Sequence, residues 1–146
     1  MPDKETLERA EEDKREGKSP STQAGEFVHE EIEHIREGKH GARSTKQAIA
    51  IGLSKARRAG VKLPASKSAS KRTRAQAARD TRKGQSSRSK KTSAKRSRAT
   101  SRALKREGRS AASKSALSRQ ARSAASKRSA ASRSRSAKKA AATRKK

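Results

Sequence analysis

From residue 38 to residue 146 the chain carries 36 lysines and arginines and two acids, Asp80 and Glu107. No other feature constrains its folding more. Like charges three or four residues apart destabilise a helix. A segment of low hydrophobicity and net charge +34 has little apolar surface with which to offset its ordering entropy. Residues 1–37 are the reverse, with 12 acids against 6 bases. A balance this lopsided implies a polyanionic partner.

Other classes are excluded early. There is no cysteine, hence no disulfide framework, thiol nucleophile or cysteine zinc site. The N-terminal MPDKETLERAEEDKREG has no apolar stretch of the secretory kind. No apolar run approaches the roughly 20 residues that span a bilayer. A cytoplasmic, nucleoid location without membrane contact is expected. The many serines lack a credible base and orienter, and no G-x-x-x-x-G-K-[ST] phosphate loop occurs. Neither enzyme activity, cofactor, metal nor small-molecule substrate is expected.

Residues 3–16 read as an exposed, frayed helix. Asp3 can cap it, Gly17 can end it, and Leu7 is its one large apolar residue beyond Met1. Ser19-Pro20 then opens a stronger helix, with serine at the N-cap and proline at N1. It runs to about Glu37, where Gly38 stops it. Ala24, Phe27, Val28, Ile32 and Ile35 share one stripe at helical period, and Glu26, Glu30, Glu33 and Glu37 share the opposite, outer side. After the link GKHGAR comes S-T-K-Q (44–47), a capping box from Ser44 to Gln47. That helix reaches Ala59, with Gly60 fit for a left-handed turn and Val61 for the contact that follows. Two amphipathic helices on a short link read as an antiparallel hairpin.

The second helix of the hairpin has two faces. Ala48, Ile49, Gly52, Leu53, Ala56 and Ala59 gather on the core side, with Ile51 at its edge. Lys46, Gln47, Ala50, Ser54, Arg57 and Arg58 lie opposite. Small residues between those charges would let phosphates approach. The hairpin's candidate contacts are therefore Lys46, Arg57 and Arg58, helped by Lys39, Arg43 and Lys55. A foldable unit of about 45 residues is small for an independent core. A homodimer through the apolar stripes, or folding on the ligand, would complete it.

HEEIEH (29–34) invites a zinc reading and fails it. His29 and His34 are five residues apart, about 140° around a helix, where the zinc motif needs four. The expectation is an exposed helical surface. His40, beside Lys39 in the link, is expected on a solvated loop.

Beyond Pro64 the chain is a low-complexity Ser/Ala/Arg/Lys segment whose only large apolar residues are Leu104 and Leu117. RSAAS begins at Arg109, Arg122 and Arg128, too irregularly for a solenoid. Disorder in isolation is expected, with helix forming as an anion neutralises the charge. The fold expected is mainly α: an acidic N-terminal helix (1–18), a small antiparallel helical hairpin (19–64), and a long disordered or conditionally helical basic tail (65–146). Tail phosphate contacts are assigned to Arg72, Arg74, Lys90, Lys91, Lys95 and Arg96. Further along they are assigned to Arg98, Arg102, Lys105, Arg106 and Arg109, and then to Arg119, Arg122, Lys127 and Arg128. With no aromatic platform there, backbone contact without base reading is favoured.

GEFVHEEIEHIREGKHGARSTKQAIAIGLSKARRAGVKLP (25–64) resembles a domain of unknown function found in small basic bacterial proteins, most recognisably over STKQAIAIGLSKARRAG. The resemblance implies no established activity; DNA binding is the description usually attached to such proteins. Residues 66–146 resemble the tails of bacterial linker-histone-like proteins, but without proline and with Ser-Arg as frequent as Ala-Lys. The reading is a nucleoid-associated protein that binds duplex DNA with little sequence preference, neutralising and bridging it. An RNA- or ribosome-associated protein is the first alternative. A structural protein whose hairpin docks a partner while the tail tethers it is the second.

Overall fold

The structure, a computed structural model, describes residues 1–86 and 92–144. The two strongest capping signals mark true helix starts. Ser19 accepts from the Thr22 N–H with Pro20 at N1, which opens α2 (Pro20–Arg36) once α1 (Lys4–Arg15) has ended. Ser44 accepts the Gln47 N–H at 3.2 Å at the start of α3 (Thr45–Arg58). The Gln47 side chain reaches one residue further back than expected and accepts the Arg43 N–H at 2.7 Å. Gly17, Gly38 and Gly60 follow these helices with φ of 71°, 79° and 99°, a left-handed turn that glycine adopts without steric cost. After Gly60 the Val61 N–H returns to the Ala56 carbonyl at 3.0 Å, and Val61 itself is buried.

α2 and α3 run antiparallel. Ile32 and Ile35, late in α2, cluster with Ala48, early in α3; Ala24 and Phe27 cluster with Ala56. The predicted stripe is therefore the core. Burying Phe27, Ile32 and Ile35 stabilises the unit by roughly 1.5–3 kcal/mol each. The helices cross at Gly52, where an added Cβ would lie 2.7 Å from Val28 Cα and 3.0 Å from the Phe27 carbonyl oxygen. Only glycine permits that approach.

Two expectations about the acidic half are corrected. α1 packs on α2 instead of fraying: Thr6 and Ala10 are buried, and Leu7 joins the Phe27 cluster. The glutamates of α2 do not form a wholly outer face, because Glu30 and Glu31 are buried. α1 covers the first, with the Asp3 N–H donating to Glu30 Oε2 at 3.0 Å. Lys55 of α3 reaches across to both.

The larger correction concerns the basic segment, which is not a disordered or conditionally helical tail behind a free-standing hairpin. Its described residues form α4 (Lys71–Gln85), α5 (Ala94–Arg106), a 3₁₀ turn (Ser110–Ala112), α6 (Lys114–Ser126) and α7 (Ala130–Arg144). Serine, which reads as mere bias in composition, punctuates it. Ser70 accepts from the Thr73 N–H, Ser113 from the Ala116 N–H and Ser129 from the Ser132 N–H, each at 3.2 Å. Between such caps lie Ala, Arg and Lys, which favour helix. α4 packs on α3, the 3₁₀ turn on α2 and α3, and α6 on α3. Ala111, Ala112 and Leu117 complete the Ile32–Ile35 cluster. Within one chain these contacts bury Ile32 and Ile35 of α2 and Ala48 of α3, while Ile49 and Leu53 are half-buried and Ala59, expected on the core side, is exposed.

The link between α2 and α3 is the other docking point. Gly41 donates to the Leu104 carbonyl at 2.9 Å and Ala42 to the Gly108 carbonyl at 3.1 Å. A Cβ on Gly41 would overlap the Glu107 carbonyl. Gly52→Ala is predicted to cost about 1–3 kcal/mol by overpacking, measured by thermal unfolding. Gly41→Ala is predicted to free residues 104–112 while α2 and α3 stay protected, measured by hydrogen exchange. An unchanged midpoint for the first, or unchanged exchange for the second, would contradict these contacts.

Candidate nucleic-acid interface

The predicted cationic face of α3 is divided by the fold. Lys55 is half-buried, with Nζ 2.9 Å from Glu30 Oε1 and 2.8 Å from Glu31 Oε2. Burial works against its charge, and the two carboxylates more than offset this, holding its pKa above the usual lysine value. Arg57 Nε donates to the Leu63 carbonyl at 2.9 Å. Arg58 Nε donates to Asp80 Oδ1 at 2.8 Å. α4 lies over this side, so that Ala50, Leu53, Ser54 and Arg57 face Arg72, Gln76, Ala77 and Asp80 across a narrow cleft.

Asp80 holds that contact together. It is 1 % exposed, and it accepts from Ser54 Oγ at 2.7 Å, from Arg58 and from Gln76. Burial alone would raise its pKa; the hydrogen bonds from Ser54, Arg58 and Gln76 overcome that and hold the carboxyl below the usual range. The pKa of Glu30 is lowered in the same way against burial, chiefly by Lys55 and the Asp3 N–H.

What remains of the predicted face meets α6. Arg43, Lys46 and Arg119 line a cleft of about 660 Å³ between the start of α3 and α6. Its other walls are small or neutral: Ser44, Thr45, Ser110, Ala111, Ser113, Ser115, Ala116, Gln120 and Ser123. No acid lines it. The N-termini of α3 and α6 both border it, and helix N-termini carry partial positive charge. Arg43 and Lys46 are exposed, and Arg43 is only loosely held by Glu107 at 3.6 Å. Serine and alanine between cations leave room for a phosphate. This is the arrangement expected for α3 from its sequence, displaced to the helix's N-terminal end and completed by a helix from the basic segment.

The other predicted contacts scatter. Lys39, Lys105 and Arg109 surround a second cleft of about 800 Å³ with Glu37 and Glu107; Lys39 pairs with Glu37 at 3.0 Å, and Arg109 reaches the Arg36 carbonyl at 3.5 Å. Arg74, Lys95, Arg96, Arg98, Arg102 and Arg106 are exposed on α4 and α5. Arg122 and Lys127 are exposed on or beside α6, and Arg128 donates to Ser132 at the start of α7. Lys90 and Lys91 lie outside the described residues. The residues that sequence reasoning passed over are Asp80 and Thr45, whose Oγ1 donates to the Ala111 carbonyl at 2.7 Å and seats the 3₁₀ turn against α3. A lone acid in a basic stretch was the available signal for the first; the second had none.

The histidines also differ from expectation. His34 is buried and His40 half-buried. One ligand atom from each of Glu31, His34 and His40 lies within 4.8 Å of the other two, and the same holds for Asp3, Glu30 and His34.

Residues 14–68 match the model of a family of unknown function, DUF6496. The match spans α2 and α3 and stops short of α4. No curated protein and no solved structure matches the chain. Among the described residues no helix is long and apolar enough to cross a membrane.

Because Asp80 has a lowered folded-state pKa, the stability it contributes is present above the ordinary carboxylate value and is lost as pH falls through the lowered one. Asp80→Asn is predicted to destabilise the chain by about 1–3 kcal/mol at neutral pH. Its deficit against the wild type should shrink as pH falls below the ordinary carboxylate value. Thermal unfolding across that range checks this; a deficit constant with pH would remove Asp80 from the account.

Proposed function

We propose that the chain is a non-enzymatic, nucleoid-associated protein that binds duplex DNA through its phosphates with little preference for sequence. One observation carries the reading: of the only two acids of the basic segment, Asp80 is buried against Arg58, and Glu107 is half-buried with its nearest cation, Arg43, at 3.6 Å. Among the described residues the exposed cations of α5 and α6, and Lys46 and Arg119 of the α3–α6 cleft, have no acid paired with them. A surface of that kind recruits phosphate by counterion release.

The cleft supplies the best-built phosphate seat. Two helix N-termini, Arg43, Lys46 and Arg119 converge on it, and small side chains let a phosphate come close. The rest of the contact is diffuse. Phe27 is the chain's only aromatic among Phe, Tyr and Trp, and it is 1 % exposed. No such ring is available for stacking on bases, which favours duplex backbone over single strands. Helices with cations on several sides suit more than one duplex segment at once, which is how bridging would arise.

The test is binding of the full chain to duplex DNA across salt concentrations, with structured RNA as competitor. The logarithm of affinity should fall linearly with the logarithm of salt, and duplex should win. Lys46→Ala with Arg119→Ala should make the salt slope shallower by about 0.9 for each phosphate that the variant leaves unneutralised, uniformly across sequences. Preference for RNA would replace this reading with the RNA-associated one. A slope unchanged by the double variant would remove the cleft from the interface.

A further inference from the structure

A buried acid and two histidines meet where α2 faces its link to α3. Glu31 is fully buried, and neither of its carboxylate oxygens has a hydrogen-bond donor aligned on it. Its Oε2 lies 2.8 Å from Lys55 Nζ as an ion pair. Its Oε1 lies 3.3 Å from His40 Nε2. The other nitrogen of His40, Nδ1, is 3.1 Å from the Gly41 carbonyl. A carbonyl only accepts, so Nδ1 carries the proton. With Nδ1 turned to that carbonyl, Nε2 and the buried Glu31 Oε1 face each other as two possible ligand atoms 3.3 Å apart. A cation belongs between them.

His34 repeats the pattern. Its Nε2 lies 3.0 Å from Asp3 Oδ2, so Nε2 is the donor, and Nδ1 is left facing Glu30 Oε1 at 3.9 Å. Both rings thus have an outer partner on one nitrogen, a carbonyl or a carboxylate, and a free lone pair on the other. Metal-ligating histidines are held in this way. The distances suit zinc. With Zn–N and Zn–O bonds of about 2.0–2.1 Å, two ligands of a tetrahedral site stand about 3.3 Å apart, the separation of Glu31 Oε1 from His40 Nε2. An N–H···O hydrogen bond would be shorter. Charge agrees as well. Asp3, Glu30 and Glu31 against Lys55 leave the carboxylates of the cluster with an excess of two negative charges, which a dication neutralises.

We propose that Glu31, His34 and His40 bind one zinc-class divalent ion, with Asp3, the Gly41 carbonyl and Lys55 orienting the ligands. The ion ties the α2–α3 link to α2. That link receives residues 104–108 of the basic segment through Gly41 and Ala42, so metal binding stabilises the docking of the segment as well.

The full chain, stripped with a chelator, is titrated with Zn²⁺ by calorimetry and by thermal unfolding. One ion per chain and a raised unfolding midpoint are expected. Glu31→Gln and His40→Gln should each weaken binding by about 100-fold or more, while His29→Gln, the third histidine of the chain, should leave it unchanged. Co²⁺ on the unaltered chain reads the site without relying on a variant's fold, and an intense tetrahedral absorption is expected. Absence of saturable uptake at one ion per chain would overturn the proposal. So would loss of uptake in His29→Gln, or a weak octahedral cobalt spectrum. In those cases the 3.3 Å approach of His40 to Glu31 is a direct contact without a metal.

Discussion

Helices that carry this much positive charge repel one another, and the fold depends on contacts that hold them without asking for acids. Most of the docking of the basic segment is neutral. Thr45 Oγ1 donates to the Ala111 carbonyl, the Gly41 and Ala42 amides donate to the carbonyls of Leu104 and Gly108, and Leu117 enters the Ile32–Ile35 cluster. Where bases are used, they are used as donors to backbone: Arg36 to the Ala112 carbonyl at 3.0 Å and Arg57 to the Leu63 carbonyl. A carbonyl dipole satisfies a guanidinium without occupying a carboxylate. Asp80, placed where α4 crosses α3, is the one buried exception, and Glu107 approaches Arg43 only at 3.6 Å.

The acidic half solves the opposite problem. Glu30 and Glu31 are buried on α2, and burial of a carboxylate is costly unless its charge is met. Lys55 meets both, and is thereby withdrawn from the helping phosphate contact expected of it. The two halves of the molecule are thereby linked by charge at their centre, while the surface charge of the basic segment stays uncompensated. Folding draws on Lys55 and Arg58, and the proposed polyanion binding would draw on different cations: Lys46, Arg119 and the exposed residues of α5.

Much of the hairpin is legible in the sequence. Ser19-Pro20, Ser44-Thr-Lys-Gln and the glycines at 17, 38 and 60 act locally, through caps and left-handed turns, with Gln47 alone turned to the Arg43 N–H instead of that of Ser44. The stripe from Ala24 to Ile35 is the core because a helix buries whatever face its period makes apolar. The basic segment is less legible, since serine there serves both as filler and as cap. Asp80, Leu104 and Leu117 are each conspicuous against that background, and each marks a docking point. The Glu31–His34–His40 group is invisible to spacing rules, because His40 arrives from the link rather than from a helical turn.

RSAAS shows where local information ends. At 109–113 it forms the 3₁₀ turn, with Ala111 and Ala112 buried. At 122–126 it closes α6 with its first alanine exposed, and at 128–132 it opens α7 in solvent. The sequence by itself determined the helices of residues 1–64, the serine caps at 19 and 44 and the charge imbalance, because these follow from near neighbours and from counting. Only the tertiary structure decided which alanines are core, which cations are engaged and which acids meet histidine, because those depend on surfaces brought together from distant parts of the chain.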